Sequence, residues 1–300
     1  MEEPSPGEKP ESSVRTALIV EGGAMRGIFT TGVLDGFLEA GFNPFDLFIG
    51  VSSGAGNLAA YLAQMPRRNF RIYTDYSLRS EFISFRRFLR GGHLLDLDWL
   101  WSSTIREIRL DLKTIYTSGR PFLVCVTDAG TGRAEYKSTA EQNLEDVLKA
   151  SSAIPVLYRG FPLVDGRPST DGGISDPIPV ARAIHMGACR IMVLRSRPRD
   201  YHKKEGVLQA ALIWKLRRFP LLQEALRARV DTYNSTVSLI RRPPPGVCIV
   251  EICPPPDFRP GRLSRSPEHL IQGYHQGLAM AREAMGEWGA HEIQQQEVRL

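Results

Sequence analysis

The chain has 300 residues, 42% hydrophobic and 24% charged, which excludes a disordered polypeptide and leaves ample core for one large α/β domain. Its formal net charge of +5 suits solubility and admits an anionic membrane surface ahead of nucleic acid, for which no base-reading motif is present. Cys125, Cys189, Cys248 and Cys253 lack paired zinc spacing, so buried free thiols in a reducing compartment are expected.

In chain order, residues 1–15 are acidic and proline-rich and are expected to be a disordered tail; they lack the basic and apolar regions of a signal peptide. No apolar run approaches the roughly 18–20 residues of a membrane span, so the expected location is cytoplasmic, with at most peripheral contact with an anionic membrane. Residues 16–20 (TALIV) predict a buried strand. A glycine-rich turn, EGGAMRG (21–27), leads into a helix in which Phe29, Val33 and Phe37 share a face and Gly41 is the stop. Residues 46–50 predict a second buried strand and 53–64 the helix after it, so the chain opens as strand–turn–helix twice over, the pattern of a parallel sheet covered by helices.

Residues 66–118, rich in arginine and aromatic residues, predict a looser region. PFLVCVTD and RAEYKS around AGTG predict a hairpin, EQNLEDVLKA a short helix, and FPLV with the Asp165-Gly166 turn a second hairpin ending at STDGG. VARAIHMG is a short helix stopped by Gly187, CRIMVL a core strand, 203–240 two basic amphipathic stretches, GVCIVEIC a strand and 266–287 a last helix. No internal repeat or convincing linker is visible. The expected organisation is a catalytic unit over 16–195, with residues 196–300 as a helical extension and strand packed on the same domain. The oligomeric state is not legible.

Gly50, Ser52 and Gly54 form G-x-S-x-G between a predicted strand and helix. A strand turning abruptly into a helix crowds the backbone, and glycine two positions either side removes the clashing Cβ atoms. The serine hydroxyl then projects beside a helix N-terminus whose free amides favour developing negative charge. As a bare pattern it is common; a serine- and glycine-rich turn without chemistry is the alternative. The 21–27 turn has three readings: a pyrophosphate cradle, an oxyanion hole, or a tight turn. A dinucleotide site is disfavoured because Ala24 replaces the middle glycine and Asp46 precedes its strand. Asp171, before two glycines, can be approached closely or can form an Asx turn.

Taken together, GGAMRG followed by GVL (32–34), GVSSG (50–54), ASSAIP (150–155) and DGG (171–173) resemble the patatin-like phospholipase family over about residues 16–195. The resemblance implies a three-layer α/β/α fold with a mainly parallel sheet and a serine–aspartate dyad with no histidine required; no metal constellation is visible in the sequence, and no metal or cofactor is expected. Ser52 would be the nucleophile and Asp171 the base, with Gly22, Gly23 and Ala24 as the oxyanion loop. Arg26, Gly27, Gly50, Gly54, Gly172 and Gly173 would be motif support. Ala24 departs from the family's third glycine; its amide survives, but a positive φ there would be costly. The implied substrate is a lipid or other ester, and the site should raise the pKa of Asp171 by partial burial.

Two other classes compete. A Ser–His–Asp hydrolase would draw its histidine from His185, His202, His269, His275 or His291, none in a distinctive setting. A non-catalytic scaffold of the same fold would have no reason to keep Ser52 and Asp171. The mixed arginines and rings of 67–92, and the similar 202–230, read either as a membrane-facing surface or as ordinary covering helices with solvated basic faces. His93, Asp96 and Asp98 approach a ligand cluster but read as a loop or helix cap.

Overall fold

The computed structural model describes residues 14–206 and 212–297. Residues 1–13 of the expected tail therefore lie outside the described residues, as do 207–211 within the basic stretch.

The sheet contains β1 (Thr16–Val20), β2 (Leu47–Val51), β3 (Phe122–Asp128), β4 (Ala134–Ser138), β5 (Leu163–Val164), β6 (Arg167–Asp171), β7 (Arg190–Leu194) and β8 (Cys248–Ile252). Its order is β5-β6-β3-β2-β1-β7-β8, with β4 on β3. β3-β2-β1-β7-β8 is parallel throughout, while β4, β5 and β6 pair antiparallel. The chain steps from β1 to one side and later returns on the other, so the sequence of strands reverses at β1. Crevices outside the carboxyl ends of strands at such a reversal are where open α/β sheets bind ligands.

Side-chain alternation on the strands divides the core into two layers. Leu18, Val20, Phe48, Val124 and Met192 face α1 (Ile28–Glu39), α2 (Ser53–Leu62), α7 (Leu144–Ser151) and α10 (Pro267–Glu297). Ala17, Ile19, Ile49 and Val193 face α8 (Val180–His185) and α9 (Pro220–Arg241). The result is the expected three-layer α/β/α sandwich. α10 lies against α1 so closely that a Cβ on Gly32 would sit 2.1 Å from the Tyr274 carbonyl oxygen, and one on Gly277 2.1 Å from that of Phe29.

Both predicted hairpins form, the second through Asp165 and Gly166 at φ +50° and +74°. Gly41 and Gly187 end α1 and α8 at φ +63° and +95°. The last helix runs ten residues past its expected end, and α7 begins at Leu144 instead of residue 141.

The expectation of a looser 66–118 is overturned. The segment holds α3 (Arg68–Thr74), α4 (Phe85–Leu89), α5 (Leu97–Ile108) and α6 (Leu112–Thr117). Ser84, Asp96 and Asp111 cap α4, α5 and α6 by accepting from the amides of Arg87, Trp99 and Thr114. The rings of 67–92 do not make one outward stripe: Tyr73, Tyr76 and Phe82 are buried, while Phe85 is exposed together with Leu89.

Candidate active site

Strand β2 ends at Val51 and α2 begins at Ser53, so Ser52 makes the turn alone, at φ +54° and ψ −129°. A residue with a side chain in so sparsely populated a region costs on the order of 1–3 kcal/mol. The glycines two positions away permit the approach this turn needs: a Cβ on Gly50 would lie 2.4 Å from the Ala55 Cα, and one on Gly54 2.4 Å from the Val20 carbonyl oxygen. The Ser52 amide donates to Ser151 Oγ at 2.8 Å, and that hydroxyl donates to the Cys125 carbonyl at 2.6 Å. Ser151, in the ASSAIP segment, thus ties the elbow to β3.

Sheet register brings Asp171 to the same place. Cys125 of β3 pairs with Val51 of β2, and the next residue, Val126, pairs with Asp171 of β6. β4 occupies the opposite edge of β3 along 123–127, so β6 follows β2 along one shared edge. Ser52, just past Val51, therefore meets Asp171: Ser52 Oγ donates to Asp171 Oδ2 at 2.7 Å. Gly173 N donates to Asp171 Oδ1 at 2.7 Å, so the Asx turn and the serine contact coexist, one on each carboxylate oxygen. Gly172 lies against the Cys125 carbonyl, and Thr127 Oγ1 donates to the Asp171 carbonyl at 2.8 Å. Burial raises the Asp171 pKa above the ordinary carboxylate range; the Ser52 hydrogen bond and the Arg229 charge oppose the shift.

The 21–27 turn follows β1 beside this pair. A Cβ on Gly22 would sit 2.8 Å from the Ser52 Cβ. The Gly23 amide donates to Ser53 Oγ at 2.9 Å and the Met25 amide to the Arg262 carbonyl at 3.3 Å. The amides of Gly22, Ala24 and Ser53 have no hydrogen-bond partner among the described residues. Ala24 adopts φ +50°, the conformation glycine would hold without cost. Arg26 braces the turn from behind: its Nε donates to the Ser196 carbonyl at 3.2 Å, while Ser196 Oγ donates to the Gly22 carbonyl at 3.0 Å. The Gly27 carbonyl accepts from Asn57 Nδ2 at 2.8 Å. Ser52, Asp171 and residues 22–24 are thus gathered at the carboxyl ends of β1 and β2, with Arg26, Gly27, Gly50, Gly54, Gly172 and Gly173 around them.

Ser52 and Ala24 line two cavities at once. The first, about 890 Å³ with its open mouth, is walled by Phe82, Ile83, Leu95, Leu97, Leu100 and Trp101, side chains of the segment expected to be loose. The second, about 730 Å³, carries Arg26, Arg197, Lys203, Arg229 and Arg262. Sequence reading missed these last four cations and Ser151. The pairing of Ser152 and Ser151 ahead of Ala153 hinted at the latter, but nothing in local spacing marks the former.

No histidine among the described residues lines either cavity. Asp96 caps α5, and His93 accepts from the Arg159 amide and stacks on Tyr158 at 4.4 Å. No group of three or more metal-ligating side chains occurs among the described residues, and no helix described is long and apolar enough to cross a membrane.

Comparison with known proteins places the chain among relatives of one family. Residues 18–184 match the family model for patatin-like phospholipase, and residues 219–291 match a domain of unknown function (DUF6363). An uncharacterized Escherichia coli (strain K12) protein, YjjU, is 36% identical over 284 residues, covering 91% of this chain and 78% of its own. The probable lipid hydrolase 463L of Invertebrate iridescent virus 6 is 26% identical over 195 residues, 56% of this chain and 62% of that one. VipD from Legionella pneumophila aligns over 92% of this chain and 67% of its own at TM-score 0.45 and 16% identity. With more than half of its length matched by the first family model, and with a relative 36% identical over 91% of the chain, the chain belongs to the patatin-like phospholipase family.

Proposed function

We propose that the protein is a serine acyl hydrolase of lipid carboxylic esters, working through Ser52 and Asp171. The observation that carries the reading is the 2.7 Å bond from Ser52 Oγ to Asp171 Oδ2, with Ser52 lining an apolar cavity. An acyl chain fits that cavity by burial of apolar surface, bringing its ester carbonyl to the elbow. Asp171 accepts the Ser52 proton as Oγ bonds to the carbonyl carbon. Asp171 then returns the proton to the departing alkoxide as the C–O bond breaks, leaving an acyl-Ser52 ester. A water loses its proton to Asp171 and attacks that ester; the acid departs and Ser52 regains its hydrogen.

The oxyanion formed twice along this path needs donors in place beforehand. The partner-free amides of Gly22, Ala24 and Ser53 suit it, and one such donor is worth about 2.7–4 kcal/mol of barrier. The Gly23 amide is engaged by Ser53 Oγ, so in this reading Gly23 shapes the loop instead of donating. The raised pKa of Asp171 favours proton acceptance from a hydroxyl over what a free carboxylate, near 3.9, could do. The probable lipid hydrolase from the iridescent virus is in keeping with a lipid ester as substrate.

The test compares wild type with Ser52→Ala and Asp171→Asn on a short-chain ester and on phosphatidylcholine vesicles, alongside labelling by a fluorophosphonate. Expected is loss of labelling in Ser52→Ala and a fall of about a thousandfold or more in hydrolysis for both variants. The acid limb of the wild-type profile should lie above the ordinary aspartate range, with activity present above that pKa and lost as pH falls through it. Full activity in Asp171→Asn, or in Ser52→Ala, rejects the reading.

A further inference from the structure

We infer that the second cavity beside Ser52 is a headgroup subsite for the phosphate of a net-anionic lipid, of the lysophosphatidate type, and that it discriminates against choline headgroups. The inference deepens the acyl-hydrolase reading above and rests on it for the orientation of the substrate.

Five cations line the cavity, and four of them, Arg197, Lys203, Arg229 and Arg262, come from outside the stretch matched to the phospholipase family. The fifth, Arg26, is 4% exposed, and its Nη1 is buried without a hydrogen-bond partner. A buried guanidinium nitrogen left unpaired costs free energy until an acceptor reaches it, and a phosphate oxygen is an acceptor of the right charge. The two acids in the lining are already engaged. Glu21 accepts from the Ser196 amide at 2.7 Å and lies 3.8 Å from Arg195, and Asp171 accepts from Ser52 and Gly173. Glu21 and Asp171 offset part of the charge, but five basic side chains face two acids, so the lining carries an excess of positive charge. Burial first, then the neighbouring cations, bring the Lys203 pKa down to about 7 and that of Arg26 to about 10.

Lys203 and Arg262 are anchored through their backbones and Arg229 through its guanidinium. The Lys203 amide and carbonyl both bond to the Asn234 side chain on α9, each at 3.0 Å. Arg229 Nε donates to the Gly173 carbonyl at 2.6 Å, and the Arg262 carbonyl accepts from Met25. Arg262 lines both cavities, which puts it at the junction where an ester would sit. A choline group finds no vacant carboxylate here. It finds no free aromatic cage either: Arg197 lies 4.3 Å from the Tyr201 ring, and Lys203 and Arg195 lie 5.1 and 5.5 Å from that of Tyr233.

Titration calorimetry on the full chain carrying Ser52→Ala tests this without turnover, using monomeric lysophosphatidate and lysophosphatidylcholine of equal chain length. The expected result is at least about tenfold tighter binding of lysophosphatidate. Glycerol 3-phosphate and inorganic phosphate should compete with it. Adding Lys203→Gln or Arg262→Met should remove most of the preference, with thermal melts reporting whether each variant is folded. Equal affinity for the two lipids overturns the inference, as does a preference that survives in both folded variants. Phosphate that binds without displacing lysophosphatidate overturns it too, because the anion site would then be separate from the lipid. Selective binding alongside an inactive wild type would reject the hydrolase reading alone; indiscriminate binding with an active wild type would reject only the headgroup subsite.

Discussion

The two sides of Ser52 are built on opposite terms. On one side, the chain between α2 and β3 turns Phe82, Ile83, Leu95 and Leu97 inward, Ile83 and Leu95 joined by an isolated antiparallel bridge, and leaves its arginines mostly outside. On the other, chain from after β7 and from α9 turns its cations inward against a carboxylate. In the proposed mechanism the carboxyl ends of β1, β2 and β6 supply the reacting groups, and the two walls differ in what they present to a ligand. The contrast teaches where substrate choice would reside in such a molecule: a strand-end scaffold fixes the chemistry, and each wall sorts one end of an amphiphile. It also shows why Asp171 is balanced as it is. Burial raises its pKa, and the cationic wall, through Arg229, keeps it from rising further.

The largest effect should come from loosening the boundary itself, which would disturb both sides equally. Ser151→Ala removes the acceptor of the buried Ser52 amide and leaves that donor unsatisfied, at a cost of about 1–3 kcal/mol. Expressed in the barrier, that is a fall of about 5- to 150-fold in hydrolysis. The fall should be the same factor for long- and short-chain esters, because neither wall is touched. Unequal losses would show that the elbow is not independent of the walls.

A change confined to the apolar wall should be smaller and one-sided. Leu97 is buried at the start of α5 and lines the cavity. Leu97→Trp fills space an acyl chain would use, and overpacking of this kind costs roughly 1–3 kcal/mol. The ratio of long-chain to short-chain ester hydrolysis is expected to drop about tenfold, with the preference for phosphate over choline headgroups unaltered. A shift in headgroup preference would mean that the two cavities are coupled.

The same contrast separates what could be read in the sequence from what could not. The elbow is legible because its constraints are local: glycine is needed two residues either side of Ser52, and chain order reports that directly. Asp171 is legible only as an acid flanked by glycines. Its meeting with Ser52, 119 residues away, follows from β6 continuing the edge of β2, a matter of register no local pattern carries. The apolar wall was masked by arginines interleaved with rings, although the caps Ser84, Asp96 and Asp111 signalled helices there. The cationic wall was least legible. Arg197, Lys203, Arg229 and Arg262 share no spacing and converge only because the chain after β7, helix α9 and the loop before α10 pack at one strand end.

Ala24 belongs to neither wall and touches both cavities, so it offers the finest test of the division. Its φ of +50° imposes on a side-chain-bearing residue a conformation that costs about 1–2 kcal/mol. Ala24→Gly relieves that cost, while the greater freedom of glycine in the unfolded chain takes back part of the gain. The balance predicts stabilisation by about 0.5–1 kcal/mol, read as a rise of roughly 1–4 °C in a thermal melt. The amide stays where it is, so ester hydrolysis should change by less than about threefold. Should the melt rise while hydrolysis collapses, the methyl group of a residue that lines both cavities would prove to hold acyl chain and headgroup apart, and the strain at residue 24 would be part of how the site keeps its two sides distinct.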